Sequence, residues 1–87
     1  MNFLKFDVGM LNTGRAVEVT LSGDAANVRL LDEVNLYKYA RGGDYSFTGG
    51  LVKRSPVRIK IPGYAHWFVV VDMKGLSGVT DASVRVV

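Results

Sequence analysis

Eighty-seven residues, 48% of them apolar, are enough for one core and too few for a second, and a chain of this size buries somewhat more than about 60% of its unfolded surface and folds without staples. The lack of cysteine excludes a disulfide scaffold, a thiolate metal site and a cysteine nucleophile, and makes the cytosol the default compartment. Net charge is +3, but between Arg29 and Lys60 seven basic residues stand against three acidic ones, a regional surplus suited to an acidic partner.

Lys5 and Asp7 interrupt the amino-terminal apolar run, so this stretch reads as neither signal peptide nor membrane span. Asn2 to Val8 alternates as a first strand, with Phe3, Lys5 and Asp7 opposite Leu4, Phe6 and Val8. Asn12-Thr13-Gly14 is a turn. From Arg15 to Leu21 the alternation is cleaner, Val17, Val19 and Leu21 against Glu18 and Thr20. Ser22-Gly23-Asp24 turns the chain again, and Asn27 to Leu31 supplies a returning strand.

Residues 32–50 read as an irregular connection. Leu36, Tyr37, Tyr39 and Ala40 fit one or two helical turns capped by Asp32 or Asn35, ending at Arg41-Gly42-Gly43-Asp44. A short strand through Tyr45, Phe47 and Thr48 follows, and Gly49-Gly50 marks a bulge or sharp bend.

The clearest hairpin pattern spans Pro56 to Asp72. Val57, Ile59 and Ile61 alternate with Arg58 and Lys60, Pro62-Gly63 supplies a type II turn, and the return run from His66 to Val71 is apolar on both pleat faces. A strand of that kind is covered twice. After a turn at Lys74 to Gly78, residues 79–87 close the domain.

An internal echo relates the two ribbons. Shifted by forty residues, Val17 to Ala25 lies on Val57 to Ala65, and Val28, Leu30, Leu31 and Asp32 lie on Phe68, Val70, Val71 and Asp72. Two accounts fit: the shared grammar of glycine-turned strands, or a duplicated hairpin packed face to face about a pseudo-dyad. About seven short strands without a long helix specify an all-β domain, a small antiparallel β-sandwich or barrel, with rim strands open to homodimer formation by edge pairing.

Residues 17–23, 25–30, 54–58 and 66–72, together with Gly49-Gly50 and the last strand, resemble a small bacterial family catalogued as domain of unknown function eighteen-eighty-three. The resemblance covers nearly the whole chain. It implies a small all-β domain found alone or joined to modules such as TIR-type domains, and it brings no activity, cofactor or catalytic residue.

Candidate chemistry therefore rests on the residues. His66 is the sole histidine, lacks metal-ligand spacing to any partner, and lies six residues, roughly 20 Å, from Asp72 on its own strand; it reads as structural. Ser77 lacks the spacing and the strand-to-helix context of a nucleophile elbow, and the glycine pairs before Lys53 and Arg54 lack those of a phosphate loop. No catalytic, metal or cofactor site is expected.

The remaining set is aromatic and basic: Tyr37, Tyr39, Arg41, Tyr45, Lys53 and Arg54, with Tyr64, His66 and Trp67 as a second group. Such residues stack planar groups and neutralise anions when exposed, and cap the core when not. The expectation is a non-enzymatic recognition module for a partner protein or small ligand, with residues 37–54 as its contact surface. A nucleic-acid binder and a small enzyme using His66 are the alternatives.

Overall fold

A run that is apolar on both faces needs a layer on each side of it, and residues 65–72 have both. The structure, a computed structural model, describes residues 3–87. Among them, seven strands and one helix follow in the order β1 (Leu4–Leu11), β2 (Ala16–Leu21), β3 (Ala26–Asp32), α1 (Glu33–Ala40), β4 (Thr48–Val52), β5 (Val57–Lys60), β6 (Ala65–Asp72) and β7 (Ala82–Val86). They form two antiparallel sheets, β1-β6-β3-β4 and β5-β2-β7, in a sandwich and not a closed barrel. No described helix is long and apolar enough to cross a membrane.

β6 lies inside its sheet, between β1 and β3. Its residues Trp67, Val69 and Val71 pack between the sheets with Val17, Val19, Val28, Leu30, Ile59 and Ile61. Val70, on the opposite pleat face, packs with Leu31 and Tyr39 beneath Phe3, Leu36 and Tyr45. Burying each such aliphatic side chain contributes about 1.5–3 kcal/mol, so the doubly covered strand is the best-anchored element.

The expected hairpins are corrected. β5 and β6 lie in different sheets, as do β2 and β3, so Pro62-Gly63 turns the chain through the sandwich instead of along one sheet. Pro62 has no N–H to extend a hairpin ladder, and the four residues from Ile61 to Tyr64 span up to roughly 13 Å, enough for the ~10 Å between packed sheets. That crossing sets the single apolar face of β5 against β6.

The echo survives in another form. β2 pairs with β5 and β3 with β6, and Glu18 stands opposite Arg58, its own counterpart forty residues on. Arg29 and Leu30 stand opposite Val70 and Val69. The two units thus meet edge to edge through strand pairing, not as hairpins stacked face to face.

Other boundaries also move. Residues 33–40 form a helix where an irregular connection was expected, and Asp32 is its N-cap, accepting from the Asn35 N–H at 2.9 Å. The strand predicted through Tyr45 and Phe47 starts at Thr48 and contains both glycines. Gly49 has φ 126°, and a Cβ there would run into the Val28 carbonyl, so the glycine permits close pairing with β3 and does not break the strand.

β1 runs on to Leu11 because a bulge between Asp7 and Gly9, with Gly9 at φ 83°, re-phases its pairing with β6. Asn2 of the expected first strand lies outside the described residues. The last strand begins at Ala82, not at residue 79. Of the rim strands, β5 is four residues long, carries Arg58 and Lys60 and stands between Pro56 and Pro62, features that discourage edge pairing.

Candidate functional site

Position 72 ends the apolar run of β6, and its carboxylate is buried, 2% exposed. A buried charge is tolerated only when its hydrogen bonds are made. Asp72 accepts from Asn27 Nδ2 at 2.9 Å, Arg29 Nε at 3.2 Å, the Lys74 backbone N–H at 3.1 Å, and the Tyr39 hydroxyl. Burial alone would raise its pKa, but these donors, Tyr39 foremost, hold it below the usual carboxylate value. Burial and the neighbouring carboxylate push the Tyr39 hydroxyl the other way, up.

This node fixes α1 onto the four-stranded sheet. The Tyr39 ring is buried edge-on between Phe3 at 5.1 Å and Tyr45 at 5.0 Å, and the Arg29 guanidinium lies 4.9 Å from the Phe47 ring centre. Tyr39 is therefore an anchor, which corrects its place in the contact surface. Tyr45 is half-buried in the same cluster.

Fixing Tyr39 inward turns Tyr37 outward, because residues two apart lie on different faces of a helix. Tyr37 is 61% exposed. It borders a groove of about 300 Å³ between α1 and β1, lined by Phe3, Lys5, Glu33, Leu36, Tyr37 and Ala40. Ala40 leaves room that a longer side chain would fill. Arg41, one turn on, donates from Nη1 to the Tyr37 hydroxyl at 2.7 Å and lies 5.1 Å from its ring centre. An apolar floor, an exposed aromatic, the cation Lys5 and the Glu33 carboxylate thus share one place, with Arg41 beside Tyr37 as a second cation.

His66 lies on the same outer face. Its Nε2 is 2.7 Å from Asp7 Oδ1 and its Nδ1 3.7 Å from Glu33 Oε2, with the ring stacked on Phe68 at 4.7 Å. The hydrogen bond with His66, then the Gly9 N–H, holds the Asp7 carboxyl below its usual value. Both ring nitrogens face carboxylates, and the hydrogen bond to Asp7 ties β6 to β1. No group of three or more metal-ligating side chains converges among the described residues.

Trp67 is 9% exposed between the sheets, its Nε1 donating to the Gly63 carbonyl at 2.9 Å. It leaves the contact surface for the same reason as Tyr39: its ring fills the core. Tyr64 is exposed on the crossing between β5 and β6. Lys53 and Arg54 follow β4 where Val52 pairs with Ala26, whereas Trp67 pairs with Asp32 at the other end of β3. The length of β3, about 20 Å, separates these groups. Only Tyr37 and Arg41 of the expected set come together as an exposed pair.

Residues 1–87 match the family model described as Domain of unknown function (DUF1883). No curated protein and no solved structure matches the chain.

Proposed function

The chain belongs to the family described as Domain of unknown function (DUF1883), and from that premise we propose that it is a recognition module, without catalysis of its own, that binds an acidic segment of a partner protein in the groove between α1 and β1. The observation that carries this reading is the contrast of two tyrosines on one short helix: Tyr39 is buried while Tyr37 stays 61% exposed beside an apolar groove. Exposed aromatics next to arginine over a concave apolar floor are the side chains that anchor interfaces. Lys5 and Arg41 favour carboxylates flanking the apolar anchor of the partner segment. The cysteine-free sequence suits a meeting in a reducing compartment.

Selection from a random peptide library tests this. Enriched peptides are expected to share an aromatic or aliphatic anchor flanked by Asp or Glu, to lose binding to Tyr37→Asp, and to bind Arg41→Gln more weakly. Binders that lack the anchor, or that bind Tyr37→Asp as well as the original protein, overturn the reading.

A further inference from the structure

We infer that the outer face of the three-stranded sheet holds a second, separate site, a cleft over Ala16 that takes the phosphate monoester of a small molecule. Ala16 is flanked on both sides, by Lys60 of β5 and, through reciprocal backbone bonds of 3.2 and 2.9 Å, by Val87 beyond β7. Its side chain stops at Cβ, so the face is dented there. The resulting cleft has a volume of about 530 Å³, and its lining includes Thr13, Arg15, Arg58, Lys60 and Ile61.

Three of the lining side chains are cations and none is a carboxylate. The acid nearest in register, Glu18, is already doubly engaged: Arg58 Nε lies 2.9 Å and Arg85 Nε 2.7 Å from its two oxygens. Two guanidiniums around one carboxylate leave an excess positive charge, to which Lys60 adds, while Arg15 Nε donates to the Val87 oxygen at 3.3 Å and keeps only its Nη groups for a ligand. Arg58 spends only Nε on Glu18 among the described residues, keeping its Nη donors for another acceptor.

A phosphate monoester has the charge and the three terminal oxygens to satisfy several such donors at once, which a single carboxylate does not. Thr13, also in the lining, brings a neutral hydroxyl. A cleft of this volume exceeds one phosphate group and has space for the organic part of the ligand. The site is on a different sheet from the α1–β1 groove and stands or falls without it.

Amide chemical shifts followed during titration with glycerol phosphate, at constant ionic strength and against glycerol as control, test the site. Saturable shifts are expected at Arg15, Ala16 and Lys60, and Lys60→Gln should weaken binding about tenfold, the loss of one charge-assisted contact. Ala16→Leu fills the dent without altering charge and should abolish saturable binding, with Ala16→Val as a smaller, strand-compatible variant. Tyr37→Asp should bind glycerol phosphate unchanged. Shifts that grow linearly and spread over all cationic residues, or an Ala16→Leu protein that binds as the original does, overturn the inference.

Discussion

Replacing Tyr39 by phenylalanine removes one oxygen from the most constrained part of the molecule. The ring keeps its edge contacts with Phe3 and Tyr45, so packing is unchanged and only the hydrogen bond to Asp72 is lost. Bonds to charged groups contribute about 1.5–3 kcal/mol each. Asp72 retains Asn27, Arg29 and the Lys74 amide, so the carboxylate stays paired and a loss of about 2 kcal/mol is expected at neutral pH. Asp72→Ala, which leaves the Arg29 side chain 12% exposed without its anion, should cost about 3–5 kcal/mol.

The pH dependence adds a check. The folded pKa of Asp72 is depressed below the ordinary 3.8, so the unfolded chain binds more protons in that window. The stabilisation is complete above the unfolded value and is lost as pH falls through 3.8 towards the folded value. Urea unfolding of wild type and Tyr39→Phe should therefore differ most at neutral pH, and the difference should shrink as pH falls below 3.8. A difference under about 0.5 kcal/mol at neutral pH, or one that does not change on acidification, would refute the description of the node.

Two further outcomes follow from the fold. Gly49→Ala should destabilise by about 2 kcal/mol or more in urea unfolding, because a side chain at φ 126° is strained and its Cβ meets the Val28 carbonyl; Gly50→Ala, with open space at its Cβ, should cost less, and the reverse order would contradict the β3–β4 pairing. Trp67, between the sheets, should show weak iodide quenching that becomes strong on unfolding; strong quenching of the native protein would remove it from the core.

Much of the strand content was legible because period-two alternation survives any choice of sheet. Val57, Ile59 and Ile61 read as one apolar face whether β5 joins β6 in a hairpin or crosses to the opposite sheet, so the pattern located the strands without deciding their partners. Residues 66–71 did indicate a doubly covered strand, and β6 is one. The connection from Asp32 to Gly50 was read as irregular because an eight-residue helix is marginal alone; Tyr39, pinned to Asp72 from the sheet below, supplies the tertiary contact that stabilises it.

The candidate site was legible only in part, for a related reason. Tyr37 and Arg41 sit one helical turn apart and meet. Tyr39, Asn27 and Arg29 reach Asp72 across separations of 33 to 45 residues, which no local pattern displays. One clue was present: a lone carboxylate at the end of an apolar strand, with Asn27 and Arg29 on a neighbouring strand of similar character. The cleft over Ala16 left no comparable mark, since it arises from a small residue opposite Lys60 and beside Val87, joined only by sheet register.

The recognition reading is tested most directly by calorimetric titration of the best library-selected acidic peptide into the original protein and into Tyr37→Asp. The groove predicts one-to-one binding to the original, weakened at least about tenfold in the variant, or 1.4 kcal/mol, with thermal stability unchanged. Equal affinity for the two proteins would contradict it.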